Sequence, residues 1–146
     1  MSKNKALLAV FAISFFVAQP IVGTSQDVLR VVKNGELDKL KELVAQGESV
    51  AVCDRDGVTP LHLAAFGGDC EVLKYLINLS SEMNVEGRDG STPLDYALEA
   101  ERTTKLPLFV PILQLLVDNG ARKGRWGKKY YPGRTPEVII DAYGLD

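Results

Sequence analysis

The chain has 146 residues, 17 Lys and Arg against 19 Asp and Glu for a formal net charge of −2, 46% hydrophobic residues, two cysteines and one histidine. That length holds one domain, or two very small ones. The charge balance excludes a polycation that coats nucleic acid or membrane, and the apolar fraction excludes a disordered chain. One His and two Cys leave too few ligands for a zinc site of several donors.

Residues 1–25 read as an export signal. Lys3 and Lys5 supply a positive start, Ala6 to Ala18 run without a charge, and Gln19-Pro20 break the run ahead of the small residues Gly23, Thr24 and Ser25. This is the three-zone pattern of a secretory signal, cut after Gly23 or after Ser25. The uncharged run of 13 residues is short of the roughly 20 that span a bilayer, so no membrane span is expected after cleavage. Removal of residues 1–25 would leave 121 residues with 15 basic and 19 acidic side chains, or −4. An oxidising destination would permit a disulfide between Cys53 and Cys70; the residues leave that pairing open.

The remaining chain repeats itself. Asp56-Gly57-Val58-Thr59-Pro60-Leu61 recurs as Asp89-Gly90-Ser91-Thr92-Pro93-Leu94, an offset of 33, and the same offset maps Leu40, Leu43 and Val44 onto Leu73, Leu76 and Ile77. Each unit predicts two short helices. Thr59 suits an N-cap, and Pro60 is tolerated at the first helical position because its missing N–H has no partner there. Leu61, Ala64 and Ala65 form one apolar face. Gly67-Gly68 stop the helix, and Val72, Leu73, Leu76 and Ile77 form the buried stripe of a second helix. One such pair cannot cover its own apolar face, so neighbours must stack.

Thr59-Pro60-Leu61-His62-Leu63-Ala64-Ala65, then Gly68, then Glu71 to Ile77, resembles an ankyrin repeat, whose period equals this offset. The resemblance implies an all-α solenoid of helix-turn-helix units joined by fingers, about three repeats and a terminal half-repeat. The units tile as 26–58, 59–91, 92–134 and a cap 135–146 within a repeat domain 26–146. Thr92, Pro93 and Leu94 repeat the motif, whereas the first unit lacks it. By the same resemblance His62 is structural, its ring tying neighbouring turns together, and Cys70 stands where a buried leucine is usual. Cys53 falls on an exposed finger, so the two cysteines are expected on different surfaces.

The third unit departs from the period. Ala97 matches Ala64 at 33, but Leu113, Leu116 and Val117 match Leu73, Leu76 and Ile77 at 40, which places seven inserted residues near 101–107. The third finger is also longer by three. That finger, 122–134, carries Arg122, Lys123, Arg125, Lys128, Lys129 and Arg134 with no acidic residue, interleaved with Trp126, Tyr130 and Tyr131. The rest of the mature chain holds nine basic and 19 acidic residues, or −10. Two readings stand: the aromatics cover the last repeat, or the strip is a contact surface that steers toward an acidic partner. Thr135-Pro136 resembles another helix start, and Val138, Ile139 and Ala142 are placed to cap the stack.

No phosphate loop, nucleophile elbow or calcium-loop spacing is present, so no catalytic, cofactor or metal residues are expected. The resemblance implies binding of another protein through fingers and inner helices. The candidate contact residues are Arg125, Trp126, Lys128, Lys129, Tyr130 and Tyr131 in the basic segment, Phe66 and Asp69 in unit two, Glu99 and Glu101 in unit three, and Arg55 and Arg88 at finger tips. The expectation is a monomeric, exported adaptor or inhibitor of bacterial type, in the periplasm, with no nucleic acid bound. A secreted effector acting on a host protein is the alternative.

Overall fold

A computed structural model describes residues 24–80 and 82–143. The charged and apolar parts of the export segment, and Gly144, lie outside the described residues. Among the described residues the chain is all helical: α1 (Ser25–Lys33), α2 (Leu37–Ala45), α3 (Pro60–Gly67), α4 (Cys70–Leu79), α5 (Pro93–Thr104), α6 (Phe109–Asp118), α7 (Arg125–Tyr130) and α8 (Pro136–Tyr143). The inner helices α1, α3 and α5 pack side by side, α4 packs on α6, and α8 closes against α6. None of these helices is long and apolar enough to cross a membrane.

Local sequence explains the helix ends. Thr59 and Thr92 are extended N-caps with proline directly after them. At α5 the cap is reciprocal: Thr92 N–H donates to Asp95 Oδ2 at 2.9 Å and Asp95 N–H donates to Thr92 Oγ1 at 3.4 Å. Such a box satisfies two donors that a helix start leaves open. The first unit has no Thr-Pro, and Thr24 caps α1 instead through the same exchange with Asp27. Helix α3 ends where Gly68 turns left-handed at φ 73°. A Cβ there would press on Leu108 and Phe109 of the next unit, so only glycine both turns the chain and lets the third unit close over it.

Helix α5 has no glycine at the matching place and runs for 12 residues against eight in α3. The seven inserted residues are therefore not all loop. Glu101 to Thr104 extend the helix, and Lys105, the C-cap, takes the left-handed turn itself at φ 52°.

The core follows the expected stripes. Val28, Leu40, Ala65, Val72, Leu73, Ala97, Leu98, Ile112, Leu113 and Leu116 are fully buried. Each large aliphatic chain among them contributes about 1.5–3 kcal/mol, while the alanines let inner helices approach. The cap differs from expectation: Ile139 is buried and Ile140 and Tyr143 pack on the core, but Val138 is 57% exposed and Ala142 faces solvent. Helix α8 presents a narrower apolar stripe than the run of Val, Ile and Ala implied.

The fingers repeat as the helices do. Asp54 N–H donates to Val58 C=O at 3.0 Å, and at the equivalent place in the next unit Gly87 N–H donates to Ser91 C=O at 2.8 Å. Arg88 N–H reaches back to Asp56 C=O at 2.8 Å and links the two turns.

Candidate functional site

His62 is fully buried. Its Nδ1 accepts Thr59 N–H at 3.1 Å, which leaves Nε2–H to donate to Ser91 C=O at 3.1 Å. The ring thereby joins one helix start to the next finger, as the repeat resemblance implied. Burial lowers its pKa, against the opposing pull of the Ser91 bond, so the neutral imidazole is the bound form.

Asp95 stands at the same place one repeat later, and it too is fully buried. A carboxylate can only accept, and Asp95 Oδ2 accepts Gly124 N–H at 2.8 Å along with the Thr92 N–H. Gly124 in turn stands one period after Ser91. The junction thus keeps its position and inverts its polarity. The fit is close: a Cβ on Gly124 would overlap the Gly90 carbonyl oxygen, and one on Gly127 would overlap Asp95 Oδ1.

These contacts fold the basic segment into α7 instead of an open finger. Three of its six cations are used inside the molecule. Lys123 Nζ donates to Tyr131 C=O at 2.8 Å, Arg125 Nε pairs with Glu86 at 2.8 Å, and Arg134 pairs with Glu101. Arg122, Lys128 and Lys129 remain exposed, with Lys129 Nζ 5.0 Å from the Tyr130 ring centre. Trp126 is half-buried and lies 5.2 Å from both the Tyr130 and Tyr131 rings. The Tyr131 hydroxyl donates to Glu99, which raises the phenol pKa. Glu99 is held below the usual carboxylate range, first by the Arg102 guanidinium. Aromatic covering and an exposed cationic edge therefore coexist in one short helix.

The other candidate residues divide. Phe66 is 50% exposed, and Arg55 and Arg88 are exposed at finger tips. Asp69 is not offered outward: its Oδ1 caps α4, accepting from Glu71 and Val72 N–H at 3.1 and 3.0 Å. Glu101 is buried too, because the longer α5 carries it under the cap, where Arg134 and the Tyr143 hydroxyl hold it. Cys53 is an exposed thiol and Cys70 a half-buried one, whose pKa burial pushes up.

Phe66 of α3, Tyr96 of α5 and Trp126 of α7 line a pocket of about 200 Å³ together with Asp89, Ser91, Asp95 and Glu99. The Tyr96 ring lies 5.0 Å from His62 and 6.2 Å from Phe66, edge-on to both. Tyr96, Asp89 and Asp95 were missed as site residues; Asp95 was detectable by its offset from His62, and Tyr96 was not. A larger cleft of about 380 Å³, lined among others by Val50, Val52, Cys53 and Leu79, has no aromatic ring. Among the described residues no group of three His, Cys, Asp or Glu side chains could hold a metal ion.

A family model of ankyrin repeats, in three copies, matches residues 28–126. The chain belongs to the ankyrin repeat family. No curated protein matches it. Ankyrin arrays are typically non-catalytic scaffolds that bind other proteins, and the mixture of exposed aromatic and charged groups along α3, α5 and α7 is suited to that use.

Proposed function

We propose that this protein is an exported interaction module, an adaptor or inhibitor without catalysis of its own, which binds its partner along α3, α5 and α7. The observation that carries the reading is Phe66. It is a large aromatic side chain, half exposed on an inner helix, with Tyr96 and Trp126 across the same pocket. Aromatics grouped in this way around an open pocket are the type that anchors protein interfaces. Exposed Lys128 and Lys129 on α7 favour an acidic area on the partner, adjacent to that anchor.

The periplasm is the proposed destination, with release from the cell as the alternative. The capping of α1 by Thr24 supports cleavage after Gly23, since a cut after Ser25 would remove the cap.

Photo-crosslinking from positions 66 and 126 in the producing cell, followed by mass spectrometry, tests the reading. One protein recovered from both positions, and not from exposed Asn78 on outer helix α4, is the expected result. Equal recovery from all three positions, or none, would count against it. Fractionation of the same cells checks the destination.

A further inference from the structure

We infer that the pocket between α3, α5 and α7 receives an arginine side chain of the partner protein, an inference that rests on the interaction reading above. Its walls combine two chemistries that favour the same occupant. Phe66, Tyr96 and Trp126 supply ring surface, and Asp89, Asp95 and Glu99 supply negative charge. No cation is among the lining residues.

The three carboxylates are not equally committed. Asp89 has only the Ser91 N–H and hydroxyl as partners and makes no ion pair among the described residues. Glu99 is the most committed, with both oxygens held by the Arg102 guanidinium and the Tyr131 hydroxyl also donating to it, so Asp89 offers the freest charge. Asp95 is fully buried at the pocket wall; its Oδ2 accepts from Thr92 and Gly124, and its Oδ1, which has no hydrogen-bond partner among the described residues, packs against Gly127. The Asp95 charge, buried at this wall, adds to that of Asp89 and gives the pocket a negative potential that favours a cation.

Ring faces attract cations as well. A guanidinium is planar, weakly hydrated and forked, so it can lie against a ring while donating to carboxylates on its edge. A neutral side chain would gain the ring contact and at most uncharged hydrogen bonds, without the charge attraction, and an acidic one would meet like charge. The partner then carries an arginine anchor next to the acidic area that faces Lys128 and Lys129.

Trp126 is the sole tryptophan and lines the pocket, so its fluorescence reports occupancy. The purified protein is titrated with the blocked tripeptide Gly-Arg-Gly, with its citrulline analogue, which is neutral and of similar shape, and with Gly-Glu-Gly. Saturable change with the arginine peptide is expected, at least tenfold weaker with citrulline and absent with glutamate. Phe66→Ala, a surface change, should weaken the arginine response several-fold, and Asp89→Asn with Glu99→Gln should remove it. Circular dichroism verifies each fold, and if the double variant does not fold, Phe66→Ala decides alone. A flat titration, equal response to arginine and citrulline, or no effect of Phe66→Ala would overturn the arginine pocket. Flat titration alongside a partner crosslinked at 66 and 126 removes this inference and leaves the interaction reading standing.

Discussion

His62 and Asp95 occupy equivalent places one repeat apart and close their junctions with opposite hydrogen-bond polarity. His62 donates to the Ser91 carbonyl, and the next unit continues as an ordinary repeat. Asp95 accepts from the Gly124 amide, and the chain beyond it forms a short cationic helix pressed against the array. The difference shows how a stack can end. A donor at this position requires the next finger to present a carbonyl; an acceptor requires an amide, and with it a backbone close enough that only glycine fits at 124 and 127.

The largest expected effect tests that closeness. Gly127→Ala puts a methyl group into Asp95 Oδ1 and should cost about 2–4 kcal/mol or detach α7; urea unfolding measures the first and Trp126 emission the second. Asp95→Ala strands the Thr92 and Gly124 amides and should cost about 2–3 kcal/mol. His62→Ala should cost a similar amount, and it should expose the fingers of units one and two while leaving the Trp126 environment as it is. If the two variants gave the same Trp126 spectrum, the junctions would not be separate.

The next effect separates the junctions by pH. Burial depresses the His62 pKa below its ordinary value of 6.5, so the unfolded chain binds the proton more tightly. Stability is then full above about pH 6.5 and falls as the pH drops through the window beneath it. Thermal melts at pH 7.5 and 5.5 check this, and a His62→Gln variant should lose the slope across that window. The smallest effect concerns the insertion: Lys105→Gly relieves the left-handed C-cap of α5 and should raise stability by up to about 1 kcal/mol.

How much of this was legible in the sequence depends on whether the period held. The stripes of α2, α4 and α6, the Thr-Pro starts and the Gly68 stop follow from spacing alone, because repeated units bury repeated positions. Where the period broke, local pattern misled. Glu101, a contact candidate at the start of the insertion, is instead on the continued helix, which turns that carboxylate inward toward Arg134. Asp69 lies where the period holds, and its Oδ1 caps its own helix amides as Asp at a helix start does. Composition left the basic segment with two readings, because it does not reveal that Gly124 and Gly127 fit against a buried carboxylate. The pocket itself was least legible. Phe66, Tyr96 and Trp126 come from three elements, and no spacing joins them.

The two-junction account is tested most directly at the Gly124 amide, by hydrogen exchange measured residue by residue. A docked cap predicts that this amide exchanges as slowly as those in the middle of α5, and that Asp95→Ala speeds it by orders of magnitude while α3 stays protected. Exchange of Gly124 at the rate of a free peptide in the unmodified protein would contradict the account and return residues 122–134 to an open finger.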